Sequence, residues 1–354
     1  MGITDFENYL KVLERNGFSS DDGSYFKKKG LISGGHLPRW DVLTVSKNDE
    51  KYVIKSVDES DVRLVSALFT EYEKTNMVHD CVRDNPQIFL DGKIMDILEG
   101  NIFVDGGFVF LYYPLKSEID SSFSGLLDQS VKSYAALHSV NAKNCSLPVL
   151  TLQDIISGSE EIYGGYETTF CNYSDLGLID KKICKQILEI ATSERDFFDS
   201  NRCIVHADPK IGEHILIDEL RLYHIDLERA IISCPIIDYS ILSTRLIRKG
   251  QKHLAEIVTD YEISELGVVS NRLSRIHRIY YSLTEIFNTV LKDHNHVSSI
   301  DLIPDIKKRE FENLLVCVKE DMICIGIKKE SAEYFIMDLS GYINKKIDEI
   351  HLKS

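Results

Sequence analysis

The spacing of apolar residues changes along the chain at about residue 115. Before that point, apolar positions fall in short runs bounded by turn residues. After it, they recur mostly at helical spacing. Residues 4–16 read as a short leading helix. Lys29 to Ser33 reads as a strand leading into Gly34-Gly35, and Trp40 to Val45 as a second strand. The polar turn Asn48-Asp49-Glu50 precedes a third strand, Tyr52 to Val57. Asp61 to Lys74 then places Val62, Val65, Leu68, Phe69 and Tyr72 on one helical face, with Ser60 or Asp61 as its cap. Asn101 to Val104 and Phe108 to Tyr112 flank the turn Asp105-Gly106-Gly107 as two more strands. A small antiparallel sheet with one helix is therefore expected up to about residue 114. Helices are expected at Leu126 to Val140, Lys181 to Asp199, Ile236 to Lys249, His253 to Tyr261, Asn271 to Lys292 and Ala332 to Ile350. Two apolar runs, Ile215-Leu216-Ile217 and Leu222-Tyr223-His224-Ile225, interrupt this helical region as the arms of a hairpin.

Composition narrows the class. A chain of 354 residues exceeds one ordinary core, so two lobes are expected. The net charge of −15 speaks against general binding to nucleic acid or anionic membranes. Eight cysteines lie scattered without C-x-x-C pairs, which indicates reduced thiols rather than a disulfide framework or a zinc site. The N-terminus has no basic stretch followed by an apolar core, and the longest apolar run is Phe108 to Leu115. A cytoplasmic setting without membrane contact is the expectation.

The chemistry concentrates in Ile204 to Ala230, which reads IVHADPKIGEHILIDELRLYHIDLERA. Asp208 precedes the hairpin and Asp226 follows it, so the hairpin can bring both carboxylates to one cleft. Phosphoryl transfer needs such a pair. One carboxylate orients the attacking hydroxyl, and the other holds the Mg²⁺ that carries the nucleotide phosphates.

His206-x-Asp208, the hairpin and Ile225-Asp226-Leu227-Glu228 together resemble the signature of the aminoglycoside phosphotransferase and choline kinase superfamily. Val53-Ile54-Lys55, the Asp61 helix, Phe110 to Leu115, Ala135-Ala136-Leu137-His138 and Pro235-x-x-Asp238 extend the resemblance in order along the chain. It implies an α+β, bilobal, protein-kinase-like fold. Its nucleotide-binding lobe would span 1–114, and its mainly helical catalytic and substrate lobe, carrying the catalytic hairpin, 115–354. It implies a kinase of a small hydroxylated molecule such as an aminoglycoside, an amino alcohol or a sugar, using ATP or GTP with Mg²⁺, as a monomer or homodimer.

Carried over residue by residue, the resemblance makes Asp208 the base, with His206 bracing its loop, and Asp226 a metal ligand. Lys55 would pair with the nucleotide phosphates and with a helix glutamate, Glu71 first and Glu73 second. Gly34 and Gly35 would cover the phosphates, and Tyr113 and Leu115 would lie at the hinge, where Pro114 offers no N–H. Asp238 would hold the catalytic-loop backbone. The family's second metal ligand is Asn. Here that position falls on Glu213, or on His214 if the loop is one residue longer, and Ala207 replaces the usual Gly. This departure leaves a second reading open: a pseudokinase-like module that holds a nucleotide or partner without turnover. A protein kinase is disfavoured, because H-R-D, D-F-G and A-P-E are absent. Two surface readings complete the picture. Arg272, Arg275 and Arg278 would form a basic edge or a substrate or partner surface. Asp154, Glu160, Glu161 and Glu167 would form a solvated loop or meet a cationic substrate.

Overall fold

The computed structural model of the chain describes residues 3–25, 41–85, 89–90, 93–115, 117–118, 123–159, 161, 165–211, 215–217, 221–288 and 304–351. Helix α1 (Ile3–Arg15) leads into strands β1 (Ser19–Tyr25), β2 (Asp41–Lys47) and β3 (Glu50–Asp58), and then helix α2 (Val62–Arg83). Strands β4 (Phe89–Leu90), β5 (Lys93–Ile97), β6 (Asn101–Asp105), β7 (Phe108–Pro114) and β8 (Ser117–Glu118) follow. Next come helices α3 (Phe123–His138), α4 (Leu152–Ser157), α5 (Gly165–Asp175), α6 (Lys181–Ser193) and α7 (Arg195–Ser200). Strands β9 (Cys203–Val205), β10 (Ile215–Ile217), β11 (Arg221–His224) and β12 (Ile231–Ser233) precede the last helices. These are α8 (Ile236–Arg248), α9 (Lys252–Leu266), α10 (Ser270–Ile286), α11 (Pro304–Cys324) and α12 (Lys329–His351).

The chain divides into two compact units that are discontinuous in sequence. The first comprises Met1–Ser121, Lys143–Leu147 and Gly212–Ala230; the second comprises Ser122–Ala142, Pro148–Ile211 and Ile231–Ser354.

In the first unit, β1-β2-β3-β7-β6 form an antiparallel sheet. Strands β3 and β7 bury side chains on both faces, and alternation sorts them. Phe108 and Phe110 pack with Ile54 against Tyr9, Val12 and Leu13 of α1. Val109, Leu111 and Tyr113 pack with Val57 against Leu68 of α2, backed by Leu64, Val65, Phe69 and Tyr72. Lys55 shares the parity of Val57 and so belongs to the α2 face. Helix α2 starts where Asp61 accepts the Leu64 N–H at 3.1 Å, and its buried row includes Leu68, Glu71, Thr75 and Val78. A second sheet, β4-β5-β11-β10-β8, carries the hairpin. Ile215 pairs with His224 and Ile217 with Leu222, while β11 runs parallel to β5. The hairpin therefore belongs with the first unit.

The second unit is helical around one core. Phe170, Tyr173, Ile187, Phe198, Leu283, Leu314, Val318 and Phe335 are among its buried residues. The short pair β9–β12 is antiparallel, with Val205 opposite Ile231. The helix expected over Lys181 to Asp199 is instead two, because the chain breaks at Glu194 between α6 and α7. The expected basic edge is also corrected. Arg275 and Arg278 both bond buried Asp321 of α11, and Arg278 is itself buried. Asp154 closes a capping box with Thr151 at the start of α4. The strand expected at Lys29 to Ser33 lies outside the described residues; β1, at Ser19–Tyr25, is the partner of β2. No helix among the described residues is long and apolar enough to cross a membrane.

Candidate active site

In the first unit, strand parity and helix phase converge on one ion-pair group. Lys55 Nζ lies 2.7 Å from Glu71 Oε1 and 2.9 Å from Asp226 Oδ1. Glu71 is fully buried, and Tyr113 donates its hydroxyl to Glu71 Oε1 at 2.9 Å. Glu73, the other candidate helix partner, is exposed. Burial raises the Glu71 carboxyl to about 7, against the opposing pull of Lys55. Burial alone would lower the Lys55 ammonium, yet the Asp226 and Glu71 carboxylates reverse this and raise it. The lysine therefore stays charged and aimed at two acids.

Asp226 sits two residues beyond β11 with φ 62° and ψ 46°, a left-handed conformation that opens the turn Leu227–Arg229. Non-glycine residues pay of order 1–2 kcal/mol for that conformation, and such outliers gather at functional positions. Tyr113 and Leu115 lie at the end of β7. Tyr113 is buried with its hydroxyl on Glu71, and Leu115 donates its N–H to the Lys51 carbonyl at 2.8 Å. The N–H of Leu115 is thus already engaged. Gly34, Gly35, Glu213 and His214 lie outside the described residues.

The second unit holds the other group. Between β9 and the hairpin, the loop through His206, Ala207 and Asp208 is strapped by Asp238 in the first turn of α8. The backbone N–H groups of His206 and Ala207 donate to Asp238 Oδ2 and Oδ1, both at 2.8 Å. Ala207 takes φ 59°, so the place where the resembled family carries Gly is a left-handed position. His138, ending α3, sets Nε2 3.0 Å from Asp238 Oδ2 and Nδ1 3.3 Å from Glu265 Oε1. Burial opposes charge on His138, but hydrogen bonds to both carboxylates raise its pKa to about 9. Asp238 is depressed in spite of its burial, because His138 and the loop N–H groups bond its charged form. Asp208 forms an ion pair with Arg245 of α8, and Lys210 Nζ lies 3.9 Å from Asp208 Oδ2.

Several of these residues were not anticipated. Tyr134 of α3 donates its hydroxyl to the Lys210 carbonyl at 3.0 Å, accepts the Lys210 N–H at 2.9 Å, and packs edge-on against His206. Arg245 and Glu265 also had no motif to mark them. Arg245 shares α8 with Arg248, and Glu265 shares α9 with Glu256, Asp260 and Glu262, so nothing in the sequence singles either out.

Comparison with family models and with curated proteins found no match. Solved structures do match. The aminoglycoside phosphotransferase APH(4)-Ia is 13% identical, with a TM-score of 0.51 over 90% of this chain and 99% of its own. Macrolide 2'-phosphotransferase MphH from Brachybacterium faecium is 11% identical, with a TM-score of 0.51 over 88% and 98%. A thermostable mutant of APH(4)-Ia, solved with ADP and hygromycin B, is 13% identical, with a TM-score of 0.50 over 81% and 92%. This chain has the fold of these phosphotransferases. The likeness is one of architecture, and the chemistry of this chain rests on its own side chains.

Proposed function

We propose that the chain is a phosphotransferase that moves the γ-phosphate of ATP or GTP to a hydroxyl of a small molecule. The observation that carries this reading is the Lys55–Glu71–Asp226 group, a strand cation fixed by one buried and one partly exposed acid. Lys55 would hold the nucleotide phosphates, with Glu71 fixing its direction. Asp226 is an oxygen donor of the kind a hard cation prefers, and sites built from one or two carboxylates plus substrate phosphates are usual for Mg²⁺. Among the described residues no cluster of three or more potential ligands occurs. Asp226 would therefore share the ion with the phosphates and with Glu213 or His214. Bound there, Mg²⁺ would offset charge on the phosphate oxygens.

Asp208 takes the acceptor end of the reaction. Its carboxylate orients the hydroxyl and receives the hydroxyl proton as oxygen attacks the γ-phosphorus. The bond to the β,γ-bridging oxygen breaks and the nucleoside diphosphate leaves. His206 and Asp238 keep the loop backbone in place. A phosphotransferase of the same fold solved with ADP and hygromycin B supports a nucleotide and a small hydroxylated compound as ligands.

Glu213-His214 in place of the expected Asn favours one alternative, a module that binds nucleotide without turning it over. Thermal unfolding with ATP or GTP, each with and without Mg²⁺, followed by labelled-phosphate transfer to a panel of aminoglycosides, macrolides, amino alcohols and sugars, tests both. A nucleotide that raises the midpoint by mass action and is turned over supports the kinase. A raised midpoint without turnover supports the binding module. No effect of either nucleotide with any divalent metal refutes both.

A further inference from the structure

One guanidinium makes four bonds around Asp208. Arg245 donates through Nη2 to the Asp208 carboxylate and to the Tyr281 hydroxyl, the latter at 3.2 Å. Through Nη1 it donates to the carbonyls of Asp208, at 3.3 Å, and Pro209. Arg245 stands seven residues after Asp238 on α8. Seven residues are close to two helical turns, so both lie on one face of the helix. That face grips the loop at both ends. Asp238 takes the N–H groups of His206 and Ala207, and Arg245 takes the carbonyls of Asp208 and Pro209. The clamp is supported from behind. Arg248, one turn on, bonds Glu285 of α10 at 2.9 Å and approaches Glu310 of α11 at 3.6 Å. Tyr281 and Glu285 lie one turn apart on α10. Tyr281 and Glu285 of α10 thus back the two α8 arginines, of which Arg245 bonds the Asp208 carboxylate.

We propose that Arg245 is a positioning residue for phosphoryl transfer, setting the direction and charge of the Asp208 carboxylate from α8. The proposal rests on Asp208 being the base. A guanidinium stays charged at any working pH and presents a planar fork that can hold a carboxylate and neighbouring carbonyls at once. A lysine keeps the charge without the fork. Held in this way, the Asp208 carboxylate keeps one direction toward the acceptor hydroxyl.

The test is steady-state hydrolysis of Mg²⁺–ATP, with water as acceptor, followed from acid to neutral pH. Wild type is compared with Asp208→Asn, Arg245→Gln, Arg245→Lys and Tyr281→Phe. Arg245→Gln is expected to lower kcat about tenfold to a hundredfold, the range that follows misplacement of a reacting group. The KM for ATP should stay within about twofold. Removing this cation leaves Lys210, 3.9 Å away, as the other cation beside Asp208 and favours the protonated carboxyl, so the acid limb of kcat should move to higher pH. Arg245→Lys should restore the limb but only part of kcat. Tyr281→Phe, which keeps the arginine, should lower kcat slightly and leave the limb in place. A merely structural arginine would reduce the active fraction without moving the limb, and that result overturns the proposal, as does an Arg245→Gln enzyme with wild-type kcat. If Arg245→Gln does not fold, Arg245→Lys decides, with kcat referred to the titrated nucleotide-binding fraction: full kcat per binding site overturns the proposal, and partial kcat per binding site supports it. The reading of Asp208 fails separately, if Asp208→Asn hydrolyses ATP like wild type or wild type is inert, and the Arg245 proposal falls with it.

Discussion

Replacing Asp238 by Asn probes the strap beneath the His206–Asp208 loop. The carboxylate is fully buried and takes three hydrogen bonds, from the N–H groups of His206 and Ala207 at 2.8 Å and from His138 Nε2 at 3.0 Å. An amide of the same shape has one acceptor oxygen and one NH₂ group. Its NH₂ faces a donor whichever way it is turned, so at least one buried N–H loses its partner, at about 1–3 kcal/mol. The larger loss is electrostatic. His138 is raised from 6.5 to about 9 by hydrogen bonds to Asp238 and Glu265 that outweigh its burial. That rise corresponds to about 3 kcal/mol of native-state stabilisation, shared between the two carboxylates. The folded value lies above the unfolded one, so this stabilisation is complete below the unfolded value and is lost as pH climbs through the folded one. Asp238→Asn is therefore expected to cost about 3–5 kcal/mol near pH 6, where a buried cation loses a counter-charge. The cost should shrink to about 1–3 kcal/mol near pH 9.5, where His138 is mostly neutral and the hydrogen-bond loss remains. Urea unfolding of both proteins at the two pH values measures the difference. A cost that does not change with pH refutes a charged His138 against Asp238.

Three other experiments test neighbouring parts of the structure. Lys55→Met leaves Glu71 buried without its cation and should cost about 3–5 kcal/mol, most of it recovered in the double variant with Glu71→Leu; additive losses in denaturant unfolding would contradict a coupled pair. A Cβ on Gly100 would lie 2.8 Å from Tyr113 Cε1 and 3.2 Å from Leu111 Cδ1. Gly100→Ala should accordingly lower the thermal midpoint, with a loss of about 1–3 kcal/mol, and an unchanged midpoint would speak against that packing. Ala207→Gly relieves a left-handed residue and should leave stability equal or about 1 kcal/mol higher, whereas Ala207→Val should lose about 1–2 kcal/mol; equal stabilities for the two variants would sink the backbone argument.

Much of this could be read in the sequence, for local reasons. The strands Tyr52 to Val57 and Phe108 to Tyr112 are visible as short runs between turns, and the pairing of Lys55 with a glutamate of the Asp61 helix came from the resemblance. The hairpin arms and the aspartates around them stand out as apolar runs beside charges. The rest depends on pairing between distant segments. Strand β1 reads SSDDGSY and has no apolar alternation, so nothing in its own composition marks it. Strands β4 and β5 are short and acquire their meaning only when β5 lies parallel to β11. The choice of Glu71 over Glu73 turns on about half a helical turn, which the apolar stripe of α2 does not resolve without its packing partner. Arg278 looked like one of three surface arginines until Asp321, 43 residues later, was found beside it. Arg245 met Asp208 in the same way, across 37 residues.

The central claim is that this chain transfers phosphate with Asp208 at the acceptor hydroxyl. Its most direct test is γ-phosphate release or transfer from Mg²⁺–ATP and Mg²⁺–GTP by wild type and Asp208→Asn, both shown by circular dichroism to be folded. The account predicts turnover by wild type and a loss of about a hundredfold or more in the variant, with nucleotide binding retained. Equal rates in the two proteins, or nucleotide bound by both and turned over by neither, would contradict it.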